Sequence, residues 1–300
     1  TLTGTNTYTG ATTIGAGTLN ANSSAAIGDG SVTNTLIFTG GTLQAGGTIT
    51  SGATRAVTLT STGLIDTNGN GVSIAGTMSG AGGVTKSGAG TLTLTGTNTY
   101  TGATTIGAGT VSINTADVSA NAQSLGKGTT VNLGVASTSS GTLVYTGTGG
   151  TLDKNINALG NGSDTIENSG AGLLTLSGTL TKTGTVLTLK GGTNGITVSG
   201  VIQGTNGSYN SDLIVDGGTV NLTSANTYEG PTYIINGATL NANATNALPT
   251  ANGRTAVLMD QTGTGSSSLA MTVSQSIASL TGISTSSVNL NATTLTIGMT

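Results

Sequence analysis

Apolar and hydroxyl side chains alternate along this chain in short runs. In "TLTLTG" (Thr91–Gly96), Leu92 and Leu94 alternate with Thr91, Thr93 and Thr95. A period of two puts the leucines on one face of a strand and the threonines on the other. A Gly/Asn/Thr-rich turn follows over Gly96–Gly102, then a short strand around Thr104–Ile106, then Gly107-Ala108-Gly109. A third strand is predicted over Thr110–Ile113, with Val111 and Ile113 turned inward. The same grammar continues in "AVTLTST" (Ala56–Thr62), "GVSIAGTM" (Gly71–Met78), "TTVNLGV" (Thr129–Val135), "TLVYTG" (Thr142–Gly147), "VLTLKGG" (Val186–Gly192), "GITVSGVI" (Gly195–Ile202), "DLIVDGGTVNLT" (Asp212–Thr223) and "SVNLNATTLTIG" (Ser287–Gly298). No long segment carries a 3.6-residue period with helix caps; "SQSIASL" (Ser274–Leu280) comes nearest and is too short.

The alternation is organised in repeats. The eighteen residues "TLTGTNTYTGATTIGAGT" at Thr1–Thr18 return letter for letter at Thr93–Thr110, an offset of 92 residues. A degenerate copy, "LTSANTYEGPTYIINGATLNA" (Leu222–Ala242), keeps Asn226-Thr227-Tyr228, Gly230 and Thr232. A half copy, "NSGAGLLTLSG" (Asn168–Gly178), matches "KSGAGTLTLTG" (Lys86–Gly96). The fullest unit spans Gly82–Ile113.

Composition narrows the fold class. Of 300 residues 52 are glycine, only 6% are charged and 2% aromatic, yet Val, Ile and Leu recur regularly. Thr, Val and Ile are strand formers and Gly, Asn and Asp turn formers, so the chain reads as all-β. Collagen is excluded, since the glycines have no period of three and there are 2 prolines. A sandwich would bury its faces in a core about 10 Å thick, usually filled with aromatics. A right-handed parallel β-helix instead stacks coils, and its narrow interior suits Val, Ile, Leu and Ala. Three strands and their corners need roughly 20–25 residues per coil, giving about thirteen coils and about four per 92-residue offset. At a spacing of about 4.8 Å the rod would be roughly 60 Å long. Equivalent positions then lie above one another, where like charges repel while Thr and Asn form ladders; low charge follows. The expectation is one continuous β-helix over 1–300, a segment of a longer chain whose pattern is already running at Thr1 and still running at Met299-Thr300. Its repeat units lie near 1–19, 82–113, 168–180 and 216–242.

"KSGAGTLTLTGTNTYTGATTIGAGTV" (Lys86–Val111) resembles the passenger-associated transport repeat of bacterial autotransporter (type V secretion) passengers. The family's pattern is Lys-x-Gly-x-Gly, Leu-x-Leu-x-Gly, Asn-Thr-Tyr-x-Gly-x-Thr and then Gly-x-Leu. The intervening "GLIDTNGNGVSIAGTMSGAGG" (Gly63–Gly83) and "SIASLTGISTSSVNLNATTLTIG" (Ser276–Gly298) are also similar to such passengers. The resemblance implies a right-handed β-helix exported through an outer-membrane barrel and displayed on, or shed from, a Gram-negative-type surface. The repeat itself is implied to be structural and secretion-assisting. Tyr8, Gly10, Tyr100, Gly102, Tyr228 and Gly230 are its recurring positions here.

Candidate chemistry is sparse. There is no His and no Cys, so neither Ser-His-Asp nor Cys-His catalysis can be assembled within the sequence. The closest carboxylates are Asp164/Glu167 and Asp212/Asp216. Asp212 and Asp216 would share a strand face about 13 Å apart, too far for a glycosidase pair. "DTNGNG" (Asp66–Gly71) fits the first six positions of a calcium loop, with Asp66, Asn68 and Asn70 as ligands. Its twelfth position is Thr77 instead of a bidentate acid, and a corner in which those side chains cap backbone amides explains the same residues. Tyr8, Tyr100 and Tyr228 could line a sugar platform, but spaced by about four coils, or roughly 19 Å, they cannot be contiguous; each is expected to cover its own turn. Regular Thr-x-Thr arrays bind ice on some solenoids, yet here the pairing lapses between repeats. The seven Lys and Arg, scattered from Arg55 to Arg254, form no basic patch, so no nucleic-acid partner is expected. No run of about eighteen apolar residues exists, so no membrane insertion is expected either.

The resulting expectation is a non-enzymatic β-helical stalk or fibre segment of an exported surface or matrix protein, adhesive or self-associating, with no cofactor. Its partners would be copies of itself, neighbouring domains of its chain, and surface glycans or proteins. The alternatives are a polysaccharide-degrading β-helix enzyme and an ice-binding solenoid.

Overall fold

A computed structural model describes residues 1–300 except 136–138, 183, 205–210, 251–254, 261–264 and 299–300; Arg254 and Met299-Thr300 therefore lie outside the described residues. The chain forms a parallel β-solenoid of about 12 turns. Every strand pair among the described residues is parallel, and each strand lies on its counterpart in the next coil.

Each coil has three sides. The first begins with the stacked strands Thr12–Ile14, Leu36–Phe38, Val57–Leu59 and Met78–Ser79, and a seven-stranded sheet from Gly150–Leu152 to Ser287–Asn289 takes it up again. The second side carries nine strands from Thr18–Ala21 to Ile202–Gln203, and later Gln275–Ile277 and Leu295–Ile297. The third carries eleven strands from Ile49–Ser51 to Ser279–Thr281. In an early coil a single 3-10 turn, Ser24–Ile27, takes the place of that third strand.

The period-two pattern places the core as the sequence predicts. Leu92 and Leu94 are buried, stacked between Val72 and Ile74 on one side and Val111 and Ile113 on the other. Each such side chain stabilises the stack by about 1.5–3 kcal/mol when fully buried. Outward residues form ladders instead: Asn157 Nδ2 donates to Asn132 Oδ1 (3.0 Å), and Asn132 Nδ2 donates to Thr105 Oγ1 (3.2 Å). Coil length varies from 19 residues, where Leu213 lies under Thr232, to 32, where Gly109 lies under Gly141. Corner loops of unequal size cause that spread, and it gives slightly fewer turns than a uniform coil would.

Candidate functional site

The repeat's Asn-Thr-Tyr triplet lies inside the solenoid. Asn98 is fully buried between two neighbouring coils. Its Oδ1 accepts the Met78 N–H (2.8 Å) from the coil before, and its Nδ2 donates to Ser124 O (2.6 Å) in the coil after. Its backbone also exchanges two 3.1 Å hydrogen bonds with Gln123, where local pairing turns antiparallel. Asn226 repeats the clamp: Ile202 N donates to its Oδ1 and its Nδ2 donates to Ala247 O, both at 2.8 Å. Asn6 makes the upper half of the same contact, donating to Ala26 O (2.6 Å). An amide suits this position because one side chain supplies both an acceptor and a donor.

Two residues on, the tyrosine locks the corner. Tyr8, Tyr100 and Tyr228 each place Oη 2.7–2.8 Å from the Thr four residues later, Thr12, Thr104 and Thr232 respectively. Tyr100 and Tyr228 are buried, whereas Tyr8 is 40% exposed. Burial pushes the Tyr100 and Tyr228 phenols well above their usual range. Tyr100 covers more than its own turn: Lys127 N donates to its carbonyl (2.7 Å), and its ring lies against Gly126 of the next coil. Gly102 and Gly230 fit tightly against neighbouring coils. A Cβ at Gly102 would lie 2.5 Å from Gly82 C, and one at Gly230, at φ +93, would press on Ser211 O. Gly10 has open space around it.

The three copies occupy three different sides, so the 92-residue offset, expected at about four coils, is four coils and one side more. Thr12–Ile14 lies on the first side, Thr104–Ile106 on the second and Thr232–Ile235 on the third. Four stacked steps on the second side run Thr18, Thr42, Leu64, Thr85, Thr105, which is 87 residues. The remaining five residues of the offset equal the step from Thr13 on the first side to Thr18 on the second. The later offset behaves alike. Five steps carry Thr105 to the level of Tyr228, whose neighbours bond to Ile202 and Gly204, and five more residues reach Tyr233. Each repeat therefore recurs after whole coils plus one side.

The other candidates resolve into structural contacts. Asp66 Oδ1 accepts Asn68 N (2.9 Å) and its Oδ2 accepts Gln44 Nε2 (2.8 Å), while Asn70 Nδ2 donates to Ala45 O (3.0 Å). These side chains brace a corner where Asn68 has φ 48. Among the described residues no group of three or more His, Cys, Asp or Glu is placed to hold a metal. Asp164 points inward and Glu167 outward from one strand, so they share no site. Asp164 accepts Gly141 N (2.7 Å), and burial raises its carboxyl to about 6. Asp212 and Asp216 both face outward, and Asp216 pairs with Lys190 at 3.4 Å. On the third side one file of threonines crosses five coils, from Thr91 through Thr110, Thr142 and Thr165 to Thr188. The adjacent file reads Thr93, Ser112, Val144, Glu167, Lys190, so these five coils of the third side carry no two-file threonine array among the described residues.

Buried cations are what the sequence reading missed. Lys86, Lys154, Lys182 and Arg55 are all at most 1% exposed. Lys86 Nζ donates to Ser87 O, Gly88 O and Ala108 O, one carbonyl for each of its three hydrogens. Lys154 binds Gly126 O and Gly128 O; Lys182 binds Ser211 and Glu229 O and sits 5.1 Å from the centre of the Tyr228 ring. Burial lowers all three ammonium groups to about 8. The signal was available: Val84/Lys86, Leu152/Lys154 and Leu180/Lys182 share one parity, so the lysine inherits the inward direction of its apolar partner.

A family model for the passenger-associated-transport-repeat matches residues 1–21, 84–113 and 215–242. No curated protein and no solved structure matches the chain. The three matched stretches each contain one Asn-Thr-Tyr triplet. Such repeats imply a surface-exposed or secreted protein. The chain thus carries passenger-associated transport repeats built into the coils of one parallel solenoid, which supports an autotransporter passenger domain with such repeats.

Proposed function

We propose that this passenger is a non-catalytic stalk, displayed on or shed from an outer membrane, that gives reach and durability and associates with its own copies or with surface glycans and proteins. One observation carries the reading: the Asn98 and Asn226 side chains hold neighbouring coils together, and the Tyr side chains brace their own corners. The Asn amides bond forward and backward, and the Tyr phenols bond Thr hydroxyls within the stack. A solenoid held by neighbour contacts can fold progressively, each coil templating the next. The clamp suits such growth, because Asn98 bonds both to Met78 in the coil before and to Ser124 in the coil after. Low charge on the outward ladders leaves little repulsion against lateral association.

The test is incubation of the purified chain with pectin-type and mucin-type polymers, followed by reducing-end release, alongside sedimentation across a concentration series. A stalk releases no reducing ends and self-associates as concentration rises. Turnover of any polymer would overturn the non-catalytic reading, and a strict monomer at every concentration would overturn self-association.

A further inference from the structure

The outward faces of the coil differ in what they offer a partner. On the second side one file of outward residues runs unbroken through the nine-stranded sheet, from Thr18 through Thr85, Thr105, Asn132 and Asn157 to Gln203. It holds only Thr, Asn, Gln and one leucine, Leu64, and each of them is at least partly exposed. No residue of the file is charged. Two exposed apolar side chains flank it in adjacent coils: Val135 (57% exposed) follows the strand Thr130–Leu133, and Leu159 (38%) follows Asn155–Ala158. Charge is kept to the margins. Asp66 ends its strand, and Lys127 and Asp153 precede theirs.

The file is hydrogen-bonded along the rod. Asn132 Nδ2 donates to Thr105 Oγ1, Asn157 Nδ2 to Asn132 Oδ1, and Gln203 Nε2 to Thr181 Oγ1 (3.3 Å). Each amide nitrogen carries two hydrogens and the ladder uses one, so a hydrogen remains for a partner lying on the face. Hydroxyls and amides both donate and accept, which makes such a face complementary to itself. Its spacing of about 4.8 Å per coil is matched by another solenoid of the same kind, and flat parallel sheets with Asn and Gln ladders pack on one another in this way.

Area separates the three sides. Nine strands of up to four residues make a face of roughly 43 by 13 Å, so two copies pressed together bury about 1,100 Å². That clears the roughly 1,000 Å² a specific interface needs. The seven-stranded sheet of the first side gives about 900 Å² by the same arithmetic and falls short. The eleven-stranded third side is large enough but carries Glu167, Lys190 and Asp216 in one outward file, and burying those charges against a copy costs desolvation. We propose that two copies pair face to face through their second sides about a two-fold axis. The pairing rests on the self-association reading above and assigns it a surface. An isologous contact of this kind closes at the dimer.

The experiment is sedimentation velocity on the chain from about 1 µM to about 500 µM, the range suited to an interface of this modest size. Wild type should pass from monomer to dimer and stop there. Thr85→Lys/Asn157→Lys puts like charges on both facing surfaces and should weaken the dimer at least about tenfold. Both positions point outward, so its thermal midpoint should stay within about 2 °C of wild type. Val135→Ser/Leu159→Ser changes exposed side chains only and should weaken the dimer about three- to tenfold. Thr110→Lys/Thr165→Lys, on the third side, should dimerise as wild type does. A monomer at every concentration overturns the pairing and self-association together. Dimers that persist in both second-side variants, or that the third-side variant loses equally, overturn the assigned face and leave self-association standing. Growth beyond the dimer overturns the two-fold arrangement. A monomeric chain that binds mucin-type polymer, and loses it in Thr85→Lys/Asn157→Lys, gives the face to a glycan and overturns the pairing.

Discussion

Replacing Asn98 by alanine removes the clamp while leaving the backbone path intact. Two buried groups lose their partners: the Met78 N–H and the Ser124 carbonyl, on residues that are both fully buried. An orphaned buried polar group costs about 1–3 kcal/mol, so the pair should cost about 3 kcal/mol, or roughly a hundredfold in a local opening equilibrium. The reciprocal backbone bonds between Asn98 and Gln123 persist, so the damage should stay local to the coils at Met78, Asn98 and Ser124. Hydrogen–deuterium exchange by mass spectrometry reads this directly. Peptides spanning Met78 should exchange about a hundredfold faster in Asn98→Ala, while peptides spanning Ile202 should be unchanged. Asn98→Asp sharpens the test. Its carboxylate keeps the acceptor for Met78 but faces the Ser124 carbonyl without a hydrogen to offer. Burial raises such an acid's folded pKa, so its neutral form fits better and the variant should be less impaired near pH 4 than at pH 7. Unchanged exchange at Met78 in Asn98→Ala would refute the clamp.

Further outcomes follow from neighbouring contacts. Tyr100→Phe and Tyr228→Phe each lose one buried Oη–Oγ1 hydrogen bond and should cost about 1 kcal/mol in urea unfolding, whereas Tyr100→Ala should cost about 3–5 kcal/mol. The three repeat glycines should diverge on substitution by alanine: Gly10→Ala within about 0.5 kcal/mol of neutral, Gly102→Ala and Gly230→Ala destabilised by about 1–3 kcal/mol or more, by thermal melting. Lys86, Lys154 and Lys182 have folded pKa values of about 8, below the unfolded value, so between about pH 8 and 10.5 the unfolded chain binds more protons. Stability should therefore rise with pH across that window, and the rise should shrink in a Lys86→Met/Lys154→Met/Lys182→Met triple variant. Trypsin should spare the native chain at these three lysines and at Arg55, which are inaccessible, and cut at the exposed Lys127 instead.

Strand positions were legible because alternation survives any corner: Leu92, Leu94, Val111 and Ile113 point inward as their parity requires. The side of the solenoid each repeat occupies was not legible. It depends on accumulated coil length, and one corner loop can stretch a coil from about 20 to 32 residues without touching the strand pattern. Asn98 read as a turn residue because Asn is common in turns. Only its recurrence before Tyr in all three copies marked it as a partner for neighbouring coils. The buried lysines were hidden by treating charge as outward by default, although Val84 and Lys86 obey the same period as Leu92 and Leu94.

The stacking itself is open to a covalent test, since the chain has no cysteine to interfere. Neighbouring parallel strands hold paired Cα atoms about 4.8 Å apart, within disulfide reach. Cysteine pairs at Thr13/Ile37, Thr85/Thr105 and Tyr233/Leu258 lie in register, one on each side of the coil and each beside a repeat's strand. Mild oxidation should bridge all three pairs in the folded chain. The contrary fold would close Gly88-Ala89-Gly90 into a three-residue hairpin loop and set Thr85 opposite Thr93. Bridging of Thr85/Thr93 together with failure of Thr85/Thr105 would contradict the solenoid and the three-sided placement of its clamps.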